Sequence, residues 1–264
     1  MSPHTQAEGA SSLDGVRLTW IGQIALLVVD RPAQRNALSR GAMAAFALAV
    51  NALERAQALR AVIVTGAGDA FIAGGDLRDL HGLTTAAEGE AMARAMQGAL
   101  DALSALPVPV IAAIEGYAVG GGVEVALAAD QRVLGDGAYL SFKQIEMAVA
   151  TGWGGAWRLT RLVGPARALN LLWTGASLRG EEAQRLGLVD LVAGPGERAL
   201  DRALLLAHEL VARPQHVLLA MKRLVLAASC DAAEHRELEA KLFGETWGHP
   251  AHAEAVARFL AGRR

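Results

Sequence analysis

Hydrophobic runs of two kinds alternate along this chain, and their spacing predicts its elements. Val16 to Trp20 and Ile24 to Val29 flank Gly22 and predict a hairpin of strands. Ala61 to Thr65 is a β-branched run and predicts a buried strand. Val110 to Ile114 predicts another, and Arg132 to Leu134 and Ala138 to Phe142 predict two short ones. Between these runs, apolar residues recur at helical spacing. Ser39 is placed to cap a helix running through Ala58, with Phe46, Val50 and Leu53 on one face. Ala86 to Leu106 predicts a second helix, stopped by Pro107 and Pro109. Gly121 to Ala129 predicts a shorter one. From Gly152 onward the pattern is mostly helical, with breaks at Gly164, Gly180, Gly194-Pro195-Gly196 and Pro214. Strands alternating with helices, then helices alone, predict an α/β core followed by a helical end. The division by composition is a polar tail over 1–12, a core over 13–194 and a helical region over 195–264.

Composition narrows the class. The 264 residues are 53% hydrophobic and 20% charged, which excludes a mainly disordered chain and suits one large domain with an appendage. A net charge of −2 gives no overall excess that would favour nucleic acid or an acidic membrane. No apolar run reaches the roughly 18 residues of a membrane-spanning helix. Met1 to Ser12 lacks an apolar signal core, so export is not expected. The single cysteine, Cys230, has no internal partner, which suits a reducing cytoplasm. The apolar excess hints at faces buried between subunits.

Two glycine-rich loops carry the chemistry. Val108 to Ile114 leads through Glu115-Gly116-Tyr117-Ala118-Val119 into Gly120-Gly121-Gly122 and then a helix-forming stretch. Glycine lets backbone approach a ligand closely. The first turn of a helix has free N–H groups at the positive end of its dipole. Together these can hold a negative charge developing on oxygen. Glu124 follows at once. In the same way, the strand ending at Thr65 opens into Gly66-Ala67-Gly68-Asp69-Ala70-Phe71-Ile72-Ala73-Gly74-Gly75-Asp76-Leu77.

With these blocks, the chain resembles the crotonase (enoyl-CoA hydratase/isomerase) superfamily. The remaining matches are Asp30-Arg31-Pro32 with Arg35-Asn36-Ala37-Leu38, Trp153-Gly154-Gly155 with Arg158-Leu159, Val163-Gly164, Thr174-Gly175, Ala183 and Gly187-Leu188-Val189-Asp190. They spread over roughly residues 15 to 260. The resemblance implies an α/β spiral of ββα units followed by a C-terminal helical region that covers the site or a neighbouring subunit. It also implies homotrimers or pairs of trimers, and an acyl-CoA thioester as substrate. No metal or redox cofactor is expected, coenzyme A being part of the substrate.

The resemblance assigns the oxyanion donors to the N–H groups of Gly75 and Gly121, and acid/base or water-positioning work to Glu124. The plain alternatives are a turn glycine at 75 and a solvated helix carboxylate at 124. Hydratases of the family carry a second glutamate twenty residues after the first, and here the count reaches Gln144. An amide orients water or substrate but does not exchange protons as a carboxylate does. Glu146 lies two residues on and in an extended segment would share the side of Gln144; its ordinary reading is a surface or ion-paired residue. Substrate contacts are assigned to Ala73, Gly74, Asp76, Leu77, Arg78, Gly120, Trp153 and Arg264. Asp76 is also placed to cap a helix, and Arg78 stands where the family puts a base near the adenine of CoA. Lys222, Lys241, Arg258 and Arg263 are further cations for the CoA phosphates, each also an ordinary surface cation. Trp153, Trp157 and Trp173 are candidates for an acyl pocket, or for core and interface packing.

The favoured reaction is hydration of a 2-enoyl-CoA by a lyase. Decarboxylation of a malonyl-type CoA comes next, because Glu146-Met147 and Trp153-Gly154-Gly155 resemble the ethylmalonyl-CoA decarboxylase branch, and double-bond isomerisation third. Two rivals come from other classes. Gly66-Ala67-Gly68 and the Tyr139…Lys143 spacing mimic a short-chain dehydrogenase, but the loop does not follow the first strand and the Tyr/Lys pair falls in a strand-like segment. An RNA-binding or structural trimer lacks support from the net charge and does not account for both glycine loops with Glu124. The seven histidines are dispersed, and His249 with His252 reads as a turn rather than a metal site.

Overall fold

The computed structural model describes residues 8–227, with side chains described from residue 12 onward. Its main sheet has seven strands in the order β1-β2-β3-β4-β5-β7-β10: Glu8–Leu13, Val16–Ile21, Ile24–Val29, Ala61–Gly66, Val110–Ile114, Gln131–Leu134 and Leu191–Val192. Strands β1 to β3 pair antiparallel; β3, β4, β5, β7 and β10 run parallel. A second sheet joins β6 (Tyr117–Val119), β8 (Tyr139–Ser141) and β9 (Ser177–Arg179) in the order β6-β8-β9.

The described helices are α1 (Arg40–Glu54), α2 (Leu77–Leu80), α3 (Ala86–Ala105), α4 (Gly121–Leu127), α5 (Gly155–Val163), α6 (Pro165–Thr174), α7 (Gly180–Arg185), α8 (Ala199–Val211) and α9 (Gln215–Leu226). Ser39 Oγ accepts from the Ala42 N–H and caps α1, while Thr85 and Glu88 form a reciprocal capping box at the start of α3. Among the described residues no helix is long and apolar enough to cross a membrane.

The central strands explain their continuous apolar runs, because both of their faces are covered. Ala25, Leu27 and Val29 of β3, Val62 and Val64 of β4, and Val110, Ala112 and Ile114 of β5 point into a core shared with α1, α3, α4 and α5. The alternate residues Ile24, Leu26, Val28, Ala61, Ile63, Ile111 and Ala113 form a second core on the opposite face, closed by Ala199, Ala203 and Ala207 of α8. That alanine stripe at four-residue spacing lets α8 lie close on the sheet.

Three sequence expectations differ from the structure. The polar tail contributes β1, an edge strand whose register runs from Glu8 opposite Trp20 to Leu13 opposite Val16. The first helix ends at Glu54 rather than Ala58. The helical C-terminal half contains β9 and β10, whereas the helix expected after the glycine loop is present as α2, capped by Asp76.

Asn36 ties the early chain to the loop after β4. It is fully buried at φ +57°, and its Nδ2 donates to the carbonyls of Ala67 (2.9 Å) and Ala70 (2.8 Å). Its Oδ1 accepts from the Arg31 N–H at 2.9 Å. Replacing Asn36 with Ala leaves these groups unsatisfied in the interior. Urea unfolding is expected to show a loss of about 2–4 kcal/mol; a change below about 0.5 kcal/mol would mean the loop is held by other contacts.

Candidate active site

Strands β4 and β5 are neighbours in parallel register, Thr65 opposite Ala113, so the chain leaves both at the same edge of the sheet. After β4, buried Phe71 and Ile72 anchor the loop. Ile72 bridges Ala118 of β6, and Gly75 bridges Leu38. Leu38 N–H donates to the Gly74 carbonyl and Asp76 N–H to the Leu38 carbonyl, both at 2.8 Å. Gly74 has φ +96°, and a methyl group on it would lie 3.1 Å from the Val119 carbonyl oxygen and 3.2 Å from Gly121 N. The two glycine loops therefore touch backbone to backbone.

The triple glycine has three separate causes. Gly120 sits at φ 55°, ψ −121°, far from the allowed regions of L-residues. On Gly121 a Cβ would stand 2.3 Å from Trp153 Cζ3. On Gly122 it would stand 1.9 Å from the Ile72 carbonyl oxygen. Among the described residues neither Gly75 N–H nor Gly121 N–H donates to a protein acceptor. Two unengaged amides thus lie on the two loops that touch at Gly74.

Glu124, one turn into α4, is 2% exposed. Its Oε2 accepts from the Trp153 N–H at 2.7 Å and the Gly155 N–H at 2.8 Å, and its Oε1 accepts from Gln144 Nε2 at 3.0 Å. Burial pushes its carboxyl above the usual glutamate range, and these hydrogen bonds to the ionised form oppose the shift without cancelling it. The loop bends around it with Gly154 at φ +89°, and Gly155 has no room for a side chain, since a Cβ would meet Glu124 Cγ at 2.5 Å. Arg158 braces the loop from behind: its Nη1 donates to the Trp153 carbonyl at 2.9 Å and its Nη2 to Asp101.

Of the three residues expected to act on the reacting carbon, two are brought together. Gln144 reaches Glu124, and its own Oε1 is buried with no hydrogen-bond partner. Glu146 is turned away. Residues Lys143–Met147 form a 3₁₀ turn rather than an extended segment, so the alternation that would align 144 with 146 does not hold. Glu146 is 57% exposed and pairs with Lys143 Nζ at 2.6 Å.

Ala73, Gly74 and Gly120 lie in the paired loops. Asp76 accepts from the Arg78 N–H and caps α2, and it also pairs with Arg31 at 3.0 Å. Leu77 and Arg78 are exposed on the first turn of α2. Lys222, a candidate for CoA phosphates, is engaged inside the fold, with Asp130 at 2.7 Å and the Val108 carbonyl at 3.0 Å. Tyr139 lies in β8 and Lys143 in the 3₁₀ turn, so their spacing does not fall on one helix. Trp157 and Trp173 are 61% and 68% exposed and do not reach the paired loops. Cys230, Lys241, His249, His252, Arg258, Arg263 and Arg264 lie outside the described residues.

Trp153 is buried with its indole on the glycine loops. Its Nε1 donates weakly to Met92 Sδ at 3.4 Å. Sequence reasoning missed Met43 and Leu80, which stand with it around Gly75, and Met92, which its Nε1 contacts. Their only signal is an apolar position on the inner side of α1, α2 or α3. Among the described residues no cluster of three or more His, Cys, Asp or Glu could hold a metal ion. A cavity of about 690 Å³ lies between α3, α5 and α9, but neither Gly75 nor Gly121 lines it.

Known proteins are similar to this chain in sequence and fold. A short-chain-enoyl-CoA hydratase of Clostridium acetobutylicum is 31% identical over 254 residues, covering 96% of this chain and 97% of its own. The crystal structure of an enoyl-CoA hydratase from Polaromonas sp. JS666 superposes with a TM-score of 0.87 at 34% identity, covering 94% of this chain and 97% of its own. An enoyl-CoA hydratase structure from Mycobacterium smegmatis gives 0.89 at 26% identity, covering 95% and 97%. The family described as enoyl-CoA hydratase/isomerase matches residues 21–264. Its fold, its paired glycine loops and this match over nearly the whole length agree, and the chain belongs to the enoyl-CoA hydratase/isomerase family.

Proposed function

We propose that this protein adds water across the double bond of a 2-enoyl-CoA thioester to give the 3-hydroxyacyl-CoA. The observation that carries the reading is a buried carboxylate one helical turn from one free amide and close to another. The thioester oxygen sits between Gly75 N–H and Gly121 N–H. Ionised Glu124 takes a proton from water as the water oxygen bonds to C3. The π electrons move toward the carbonyl and the resulting enolate charge rests on the two amides. The protonated Glu124 then returns a proton to C2, closing the balance. Gln144 holds the carboxylate through Nε2, and its free Oε1 accepts from the water. No metal or redox group enters this scheme.

Decarboxylation of a malonyl-type CoA is the second reading, favoured by the presence of Glu124 alone where hydratases of the family carry two glutamates. Loss of carbon dioxide makes the enolate without a base, and one acid suffices to protonate it. Purified protein with crotonyl-CoA, followed by loss of the conjugated thioester absorbance, decides between them when ethylmalonyl-CoA is run alongside. Hydration of the first supports the proposal. Release of carbon dioxide from the second without hydration replaces it.

The same reading extends to assembly and location. A homotrimer or pair of trimers, with 195–264 as the helical region over the site or a neighbour, would cover exposed Trp157 and Trp173. A cytoplasmic location suits CoA chemistry.

Gly75→Pro removes one oxyanion donor that the fold itself does not use, and the added ring meets chiefly the mobile end of Leu80. Turnover is expected to fall about 100- to 1,000-fold while circular dichroism stays native. A folded variant with near-normal rate would remove Gly75 from the mechanism.

Glu124→Gln is expected to lower kcat about 100- to 10,000-fold and to leave CoA binding intact. In the parent protein kcat/KM should rise with pH as Glu124 ionises, at a pH above the usual glutamate range because burial favours the neutral acid. The sign for stability is the reverse. The native state holds this proton more tightly than the unfolded chain, so the contribution to stability is complete at low pH and is lost as pH rises through the native pKa. The glutamine variant should therefore be at least as stable at neutral pH; a large drop in its midpoint would show that the carboxylate is a structural anion.

A further inference from the structure

We propose that the Trp153 indole is the wall that restricts this enzyme to short acyl chains, by closing the reacting space off from a second, methionine-lined cavity. The inference rests on Gly75 and Gly121 as the thioester site and says what limits the acyl group there.

Three observations place the ring. Its Cζ3, Cη2 and Cε3 atoms lie 2.3, 2.6 and 2.7 Å from where a Cβ of Gly121 would be, so the ring packs on that glycine. Its Cζ2 lies 3.9 Å from the Cβ position of Gly75, level with Met43 Cε at 3.9 Å. On its other edge, Nε1 contacts Met92 Sδ. The indole is 5% exposed and bridges the two glycines and the methionines.

Met43 and Met92 also line a cavity of about 350 Å³ between α1 and α3, whose wall continues with Ala47, Leu83, Ala95 and Met96. That volume falls within the roughly 300–1,000 Å³ of small-molecule sites. Its lining is apolar apart from Arg40 and Glu88. Methionine side chains are unbranched and adapt to occupants of varied shape. The cavity thus has the chemistry of an acyl-tail site, and Trp153 with Met43 and Leu80 stands between it and the two amides. The Trp153 N–H that holds Glu124 belongs to the backbone, so changing the side chain alters the wall without deleting that bond.

The test uses saturated acyl-CoAs, which bind without turnover, and calorimetry on the full chain. The parent protein should bind butyryl-CoA about tenfold or more tighter than dodecanoyl-CoA, the scale on which a packed wall excludes added methylenes. Trp153→Ala should erase or invert that ratio. Adding Ala95→Trp to that variant should fill the cavity and cancel the gain for the long chain. If Trp153→Ala does not fold, Trp153→Phe should shift the ratio the same way by a smaller factor. Equal binding of both ligands by the parent, or a ratio unmoved by either substitution, would overturn the role of Trp153 while leaving the thioester site standing. Failure to bind either ligand would overturn the thioester reading, and the wall with it.

Discussion

The contact of Gly74 with Val119 and Gly121 is the constraint from which the site follows. A side chain on Gly74 would meet the Val119 carbonyl and one on Gly122 would meet the Ile72 carbonyl, so each segment carries glycine where it faces the other. Parallel pairing of β4 with β5 brings the two loops off the same edge of the sheet. The bridges of Ile72 to Ala118 and Gly75 to Leu38 then leave little freedom in how the loops meet. In the proposed reaction the amides of Gly75 and Gly121 would therefore be held in place before the thioester arrives. Donors held in this way need no reorganisation when charge develops, which is what the proposed mechanism asks of them.

A second constraint is the burial of Glu124. A lone carboxylate in an apolar interior is costly, and three hydrogen bonds offset much of that cost. The Trp153 and Gly155 amides are available only because Gly154 takes a left-handed turn and Gly155 has no side chain to collide with Glu124. The Arg158–Asp101 pair fixes the same turn from outside. Burial still leaves the carboxyl above the usual glutamate range, the direction that the proposed taking and returning of a proton calls for.

These relations show what could be read along the chain. The two-faced strands were legible because each is a run of apolar residues without polar interruption, as in Ala61 to Thr65. Helix α1 was legible from Ser39 and from Phe46, Val50 and Leu53. The edge strand β1 was not, because its sequence is polar and backbone pairing with β2 alone creates it. Strands β9 and β10 span three and two residues, too few for a period to show. At the site, spacing singled out Gly75, Gly121 and Glu124, since each lies at a glycine-rich strand end or one turn beyond. Counting also found Gln144. The outward turn of Glu146 escaped because it depends on a 3₁₀ turn that no local signal announces. The seat of Trp153 on Gly121, 32 positions earlier in the chain, depends on the turn at Gly154 and so on tertiary contacts.

Gln144 gives the site its particular character. A glutamate there would put a second carboxylate about 3 Å from Glu124, and two like charges so close cannot both ionise readily. Protons would then belong to the pair rather than to one residue. The amide removes that coupling. Gln144 Nε2 donates to the Glu124 carboxylate, and its Oε1 is left with no protein partner. An amide holds the neighbouring carboxylate without carrying a proton itself, which is the part the proposed mechanism gives Gln144. A site so built has one titrating group next to two fixed amide donors. Its chemistry is set by what the thioester presents at C2 and C3, which is why the shape of the acyl space beside Trp153 matters as much as the charge on Glu124.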